Sequence, residues 1–432
     1  MIACALLSAC FSKPGFHTPP DDGSGSATLH GVTVVGNGVT DDMTVSTDDL
    51  QLHFPMLAIN LPDGLKIGGV EVLAEQTACQ SENKIGLALY PVYSITSGGT
   101  TWPTANGDTH DSAIVRTASG PAFAQASITW GGVFHCGANA QTVSGTSVFS
   151  VFPDGRVVRD DSFMAPTTTQ IGTQACGCSG STGNYFLTSF VTLLNARFSH
   201  LGYNASTNNL PMPTETPLAP LHDADSVENP NPRWACMENR DAAGAQQRRF
   251  GIVWPATVTP TADDGGTRIK LEIDSAPTPM TTLIYDWTNN GSSIRTGSRG
   301  VSVAWFVDAG PGATCAASTM TELFNGYATA RKLDVDGGAG VVKVPLDVRT
   351  GIYVVSGAPA ASYAIRVEDA TTGVPAGFAI SLTLPTDAAP VVRMEGALLV
   401  DGVDYLTQHA GNAHTLWFPN ALPQAQVLVI SQ

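Results

Sequence analysis

Short apolar runs broken by turn residues recur along most of the chain. Val148-Phe149-Ser150-Val151-Phe152 is apolar almost throughout, and Arg156-Val157-Val158-Arg159 follows with a charge at each end. Between them, Phe152-Pro153-Asp154-Gly155-Arg156 has the form x-P-D-G-x, and Leu61-Pro62-Asp63-Gly64-Leu65 repeats it. Proline fixes φ at the first turn position and glycine can take the left-handed position that resumes a strand, so each pattern predicts a hairpin joining two antiparallel strands. The charges on Arg156 and Arg159 predict a strand leaving the core for solvent. Further strands are predicted at 70–73, 85–93, 127–136, 267–273, 282–287, 301–307, 341–346, 352–355, 363–368 and 378–384, all β-branched or aromatic and bounded by Gly, Pro, Asn or Asp. Residues 185–198 place Leu187, Phe190, Val191, Leu194 and Phe198 on a helical stripe, but their Phe, Thr and Val content predicts a buried strand. Helix is expected only over 320–331, with Thr319 and Glu322 as a capping box and Arg331-Lys332 at the negative end of the dipole.

Strands at this spacing suit sandwiches rather than βαβ units, so the fold class is all-β: two antiparallel, jelly-roll-like β-sandwich domains with a small C-terminal hairpin module. Residues 204–233 carry six prolines and little apolar pattern. They predict a linker, or a long loop wrapping one body. The expected divisions are a leader and tether at 1–26, a sandwich at 27–204, the Pro-rich segment at 205–232, a second sandwich at 233–384 and the hairpin module at 385–432. In that last module 396–405, 415–418 and 425–430 resemble the hairpin-rich accessory modules of secreted bacterial proteins.

Charge narrows the partners. Lys+Arg 21 against Asp+Glu 37 gives a net charge of −16, which lacks the positive footprint that nucleic-acid binding requires. Charged residues are only 13% of 432, so neither a coiled coil nor ordinary disorder fits. No uninterrupted apolar run reaches about 18 residues, and no transmembrane helix is expected.

Met1 to Cys10 reads M-I-A-C-A-L-L-S-A-C, and Leu7-Ser8-Ala9-Cys10 resembles the lipobox of exported bacterial lipoproteins. The resemblance implies cleavage before Cys10, lipid on that cysteine, and attachment at the outer membrane or cell surface. Only nine residues precede it and none is Lys or Arg, so the true start is expected upstream. The Pro, Gly, Ser and Asp content of 11–26 suits a tether. Six cysteines remain beyond the leader: Cys79, Cys136, Cys176, Cys178, Cys236 and Cys315. An even number in an oxidising compartment predicts three disulfides, whose pairing the sequence leaves open.

Candidate chemistry is sparse. The chain has no G-x-S-x-G elbow, Walker A loop, post-strand GxGxxG or HExxH. Asp334-Val335-Asp336-Gly337-Gly338 opens like a calcium loop, but Pro345 stands at the twelfth position and a hairpin turn is predicted instead. Asp108, His110 and Asp111 are read as turn and solvent contacts. No metal or cofactor is called for. In Trp130-Gly131-Gly132-Val133-Phe134-His135-Cys136, period two sends His135 to the face opposite Trp130 and Phe134. If that face is concave, His135 could join Arg156, Arg159 and Tyr185. This set is similar in residue types to jelly-roll polysaccharide lyases, in which a cation neutralises the uronate carboxylate and His or Tyr takes the adjacent proton. A binding face asks for less: Trp102 and Trp287, beside turns, with Asn289 and Asn290, supply the planes and acceptors that neutral sugars need. The leading expectation is a lipid-anchored surface protein that binds carbohydrate or another cell-surface polymer. The alternatives are an extracellular polysaccharide lyase or glycosidase, and a structural envelope or adhesion component.

Overall fold

The computed structural model describes residues 28–56, 62–73, 85–91, 110–136, 139–165, 169–170, 185–205, 216–217, 232–254, 268–274, 280–286, 293–294, 297–368, 377–424 and 426–432. The chain is all-β, and among the described residues one α-helix, Ala317–Ala328, interrupts the strands. No helix among the described residues is long and apolar enough to cross a membrane.

The described residues open on a five-stranded antiparallel meander, Thr33–Val35, Met43–Ser46, Leu50–Phe54, Gly64–Ile67 and Val70–Glu71, with each strand beside its sequence neighbour. Alternation is clean here. Met43, Val45, Leu50, Leu52, Phe54, Leu65 and Ile67 are buried, and the residues between them face outward.

The largest sheet has nine antiparallel strands in the order Thr216–Pro217, His200–Ala205, Pro232–Arg240, Gln246–Val253, Gly297–Ala309, Arg156–Ala165, Asn139–Val151, Ala124–Cys136 and His110–Ser119. One face packs on the meander and on a four-stranded sheet (Arg268–Asp274, Met280–Asp286, Tyr185–Leu194, Ile85–Pro91). Phe149, Val157, Phe250 and Trp305 meet Leu52, Phe54, Val191, Leu193 and Leu283 in that core. The Phe54 and Phe149 rings lie edge to face at 5.7 Å.

Residues 333–432 form a second sandwich. Its six-stranded sheet runs Val341–Val344, Leu333–Asp336, Ser362–Val367, Leu428–Ser431, Val391–Met394, Ala397–Leu398. Its five-stranded sheet runs Leu346–Asp347, Ile352–Val354, Phe378–Thr383, Ala413–Phe418, Leu406–Ala410. Val335, Ile365, Ile380, Leu416, Leu428 and Ile430 are fully buried between them. The other face of the nine-stranded sheet meets this body and the helix: Phe152, Val158, Trp234 and Phe306 pack with Met320, Phe324 and Tyr327 and with Ile352, Ala379, Leu406 and Trp417.

Paired strands cross both expected domain divisions. His200–Ala205 and Pro232–Arg240 flank the Pro-rich segment yet are hydrogen-bonded neighbours, Leu201 opposite Met237, so the segment joins strands of one sheet. Leu428–Ser431 pairs with Ser362–Val367, so residues after 385 complete the second sandwich instead of forming a separate module. The division between bodies falls after the helix.

All ten further strand predictions overlap strands, and the stretch 185–198 is a strand as far as Leu194, where a 3-10 turn at Asn195–Arg197 ends it. The helix differs. It starts at Ala317, with Ala316 as N-cap and no side-chain cap, so Thr319 and Glu322 form no capping box. Tertiary anchors set its start: Cys315 is disulfide-bonded to Cys236, and the Cys315 amide donates to the buried Glu238 carboxylate. Arg249 ties the same loop by donating to Asp308 and, at 2.9 Å, to the Thr314 carbonyl. Of the three predicted disulfides, Cys236–Cys315 is formed; Cys79, Cys176 and Cys178 lie outside the described residues, and Cys136 is placed by its strand backbone alone. Asp334 to Gly338 is the predicted hairpin, closed by Asp336 accepting from the Gly338 amide at 2.8 Å.

Candidate functional site

The outward face of the N-terminal meander presents a row of polar side chains around His53. Strand register fixes two rows across it: Thr33, Ser46, Gln51, Lys66 and Glu71 in one, and Val35, Thr44, His53 and Gly64 in the other. The sequence Leu50-Gln51-Leu52-His53-Phe54 dictates this locally. Three apolar side chains point into a core that buries them almost completely, which forces Gln51 and His53 outward.

His53 lies between two carboxylates. Its Nδ1 is 2.6 Å from Asp63 Oδ1 and its Nε2 is 3.4 Å from Asp42 Oδ2. Both acids are anchored. The Asp63 amide donates to the His53 carbonyl at 3.1 Å, and the second Asp42 oxygen accepts from the Met56 amide at 2.7 Å. Gly64 lies directly across from His53, where a Cβ would stand 3.0 Å from the histidine Cβ, so its lack of a side chain leaves the imidazole room. Glu71 Oε1 accepts from the amides of Leu65 and Leu73, both at 3.1 Å, and braces the backbone beside the site. The short Nδ1 contact orients the ring and leaves Nε2 on the more loosely held side, the arrangement of an imidazole able to accept or pass a proton.

The residues expected to act together are not brought together. Arg156 and Arg159 are three apart on one strand and face opposite sides of the nine-stranded sheet. Neither leaves the core. Arg156 lies over the Phe152 ring, its guanidinium carbon 4.0 Å from the centroid, beneath the C-terminal body. Arg159 is ion-paired through Nε to Asp161 at 2.7 Å inside the first sandwich. The prediction of a strand emerging into solvent fails because this strand is central in its sheet and covered on both faces. His135 is far from both. Ala124 and Ala126 align through Val151 and Phe149 with Val157 and Arg159, which leaves His135 nine residues farther along its strand, about 30 Å at ~3.3 Å per residue. Tyr185 belongs to the four-stranded sheet. Trp102, Trp287, Asn289 and Asn290 lie outside the described residues, as does Cys10.

Arg156 belongs to a different constellation. On this side of the sheet, Asp154 in the turn and Val158 and Asp160 in the strand meet the C-terminal body. Asp154 Oδ2 lies so close to Gly377 that a Cβ there would stand 2.0 Å away, and Val158 Cγ2 would be 2.7 Å from a Cβ at Gly351. Asp160 accepts from Arg349 Nε at 3.1 Å and from Ser302 Oγ at 2.5 Å. Tyr327 and Tyr353 close the row, their hydroxyls donating to the carbonyls of Val348 at 2.6 Å and Arg331 at 2.8 Å. Burial raises the Asp154 and Asp160 carboxyls above the usual range and lowers the Arg156 guanidinium, because each charge is cut off from water. Burial likewise raises both tyrosines, so they remain neutral donors.

His53 is only weakly marked in the sequence. The signals were present, an apolar alternation that turns position 53 outward and an aspartate in the x-P-D-G-x pattern ten residues on, but that pattern reads as a turn alone.

No protein-family model matches the chain, and no curated protein matches it. Among solved structures, heparan sulfate lyase HepC from Pedobacter heparinus aligns over 79% of this chain and 40% of its own, with TM-score 0.31 and 9% identity. Galactose 1-epimerase from Lactobacillus acidophilus aligns over 66% of this chain and all of its own, with TM-score 0.33 and 7% identity. The Streptomyces coelicolor chondroitin AC lyase aligns over 93% of this chain and 50% of its own, with TM-score 0.28 and 12% identity. The chain thus spans less than half the length of HepC, and these likenesses are distant. The fold assignment rests on the strand pairing itself.

Proposed function

We propose that the protein binds carbohydrate through the outward face of the N-terminal meander. The observation behind this reading is the run of exposed or half-exposed hydrogen-bonding side chains at Thr44, Ser46, Gln51, His53 and Lys66, held in register over a fully buried apolar layer. Ser, Thr, Gln and His both donate and accept, as a polyhydroxyl ligand does, and a backing that does not reorganise limits the entropy lost on binding. The negative net charge argues for neutral sugars over polyanions. A glycan array probed with the full chain, followed by titration of any hit against Gln51→Ala and His53→Ala, tests the reading. Each substitution is expected to weaken binding by about tenfold, on the scale of one lost hydrogen bond to a bound ligand. Binding unchanged in both would remove the face from consideration.

A second reading follows from the 2.6 Å contact of Asp63 with His53 Nδ1. An imidazole so oriented could take the proton beside a uronate carboxylate, with the nearby Lys66 offsetting the charge, the C–O bond to the leaving sugar breaking as the double bond forms, and the leaving oxygen taking a proton from water. Appearance of ultraviolet-absorbing unsaturated product, abolished in His53→Ala, would establish this reading; binding without such product would retain the first.

The protein's place at the cell surface is likewise a proposal, supported by Leu7-Ser8-Ala9-Cys10. Cys10→Ser is expected to release it from membranes, and unchanged membrane association would contradict the anchor.

A further inference from the structure

We propose that the seam between the two bodies is a proton-operated clasp, held more tightly when Asp160 is neutral than when it is charged. Asp160 is 4% exposed and lies at the centre of the contact between the Arg156–Ala165 strand and the 347–351 turn. Its one cationic hydrogen-bond partner among the described residues is Arg349, which comes from the other body and is itself 67% exposed in its side chain. The pair is therefore lopsided. The carboxylate gives up most of its water, whereas the guanidinium stays in a solvent that screens it, so the attraction recovers only part of what desolvation costs.

The surroundings add little compensation. From its own strand Asp160 has Arg156 four residues away on the same face and Asp161 on the opposite face, where the negative charge of Asp161 works against it. The Gly297–Ala309 strand supplies Ser302, the helix Tyr327, and the 347–351 turn Asp347 with Arg349. Arg156 is turned to Phe152 and to Asp154, and its Nε and Nη2 have no hydrogen-bond partner among the described residues. A neutral carboxyl would keep the hydrogen bond from Arg349 on its carbonyl oxygen and donate to the Ser302 hydroxyl, and it would lose only the charge that is poorly matched.

The sign follows. Asp160 binds its proton more tightly in the closed seam than in the open chain, so its contribution favours the closed state at low pH and is lost as pH rises through the raised value. The window starts at the ordinary carboxylate range and extends upward from it. Other carboxylates also titrate as the medium is acidified, and comparison with an uncharged variant isolates this one.

The test is the thermal midpoint of the full chain, followed by tryptophan fluorescence because Trp234 and Trp417 both lie in the seam core, over about pH 4.5 to 8. Asp160→Asn retains an acceptor for Arg349 and a donor for Ser302. It is expected to melt a few degrees above the wild type at neutral pH, with the gap closing toward the acidic end. Arg349→Met leaves the charge without its partner and is expected to melt lower at neutral pH, to recover on acidification, and so to show a steeper pH dependence than the wild type. An Asp160→Asn midpoint below the wild type at neutral pH, or a gap constant across the range, would overturn the clasp and make the pair an ordinary stabilising ion pair. Hydrogen exchange of residues 346–354 at a fixed neutral pH gives an independent readout: Asp160→Asn slows it if the clasp exists, and unchanged or faster exchange counts against it.

Discussion

Asp63 and Asp154 occupy the same place in the same five-residue pattern, yet one lies at the surface beside His53 and the other against Gly377 beneath the C-terminal body. In Phe152-Pro153-Asp154-Gly155-Arg156 the pattern is the tight hairpin that its chemistry predicts. Gly155 takes φ +75°, its amide donates to the Phe152 carbonyl, and the Phe152 amide donates to the Arg156 carbonyl. Pro62-Asp63-Gly64 also lies between two antiparallel strands, but at the end of a longer connection. Nine residues, 55–63, separate Leu50–Phe54 from Gly64–Ile67, and Gly64 is already in the second strand opposite His53. The pattern fixes which backbone angles are cheap, while the sheet that receives it decides what the aspartate becomes. A meander with one solvated face leaves Asp63 free to orient a histidine, whereas a central strand covered on both faces makes Asp154 part of a packed contact.

The largest test of this contrast exchanges the two glycines for alanine. At Gly155 a Cβ would stand 2.1 Å from the Val307 carbonyl oxygen, and the positive φ adds its own cost. Gly155→Ala is therefore expected to destabilise the protein by about 3 kcal/mol or more in denaturant titration. At Gly64 the close contact is with the His53 Cβ at 3.0 Å, which a small shift of the strand at the surface relieves, so Gly64→Ala is expected to cost under about 1 kcal/mol while displacing His53 and weakening carbohydrate binding. Equal destabilisation by the two would show that both glycines serve the backbone in the same way and would break the contrast.

The same division explains what the sequence revealed. Strands were legible because their period-two patterns and flanking turn residues are local, and so was the all-β class. The domain divisions were not, because pairing of His200–Ala205 with Pro232–Arg240 across a Pro-rich segment, and of Ser362–Val367 with Leu428–Ser431, is long-range and leaves no local mark. The helix start was misplaced because a disulfide and the Glu238 carboxylate, not a capping box, fix Cys315. The charges of Arg156 and Arg159 predict exposure for a general reason: a charge faces water until a partner and a second layer are supplied, here Phe152 for the first and Asp161 for the second. His53 was hidden in the opposite way. Nothing in its own neighbourhood distinguishes it from any outward polar position, and its significance arises only when Asp42 and Asp63 converge on it.

A finer test removes the charge from each aspartate. Burial raises the Asp154 carboxyl, so its contribution to stability is present at low pH and is lost as pH rises past the ordinary carboxylate range. Asp154→Asn should therefore leave stability at neutral pH unchanged or raise it slightly, and should flatten the pH dependence of the melting midpoint; a clear loss at neutral pH would mean that the charged form is what holds the contact to Arg156. Asp63→Asn is the mildest change of all. Its side chain is 50% exposed, and the pair it forms with His53 is at the surface, so stability should shift by less than about 0.5 kcal/mol. Its effect is expected in ligand titration, where an asparagine holds the imidazole less firmly and accepts without charge. If Asp63→Asn changes neither affinity nor any turnover while His53→Ala abolishes both, the histidine acts without its orienting carboxylate. The two aspartates would then differ in burial alone, and not in what they do for the site around them.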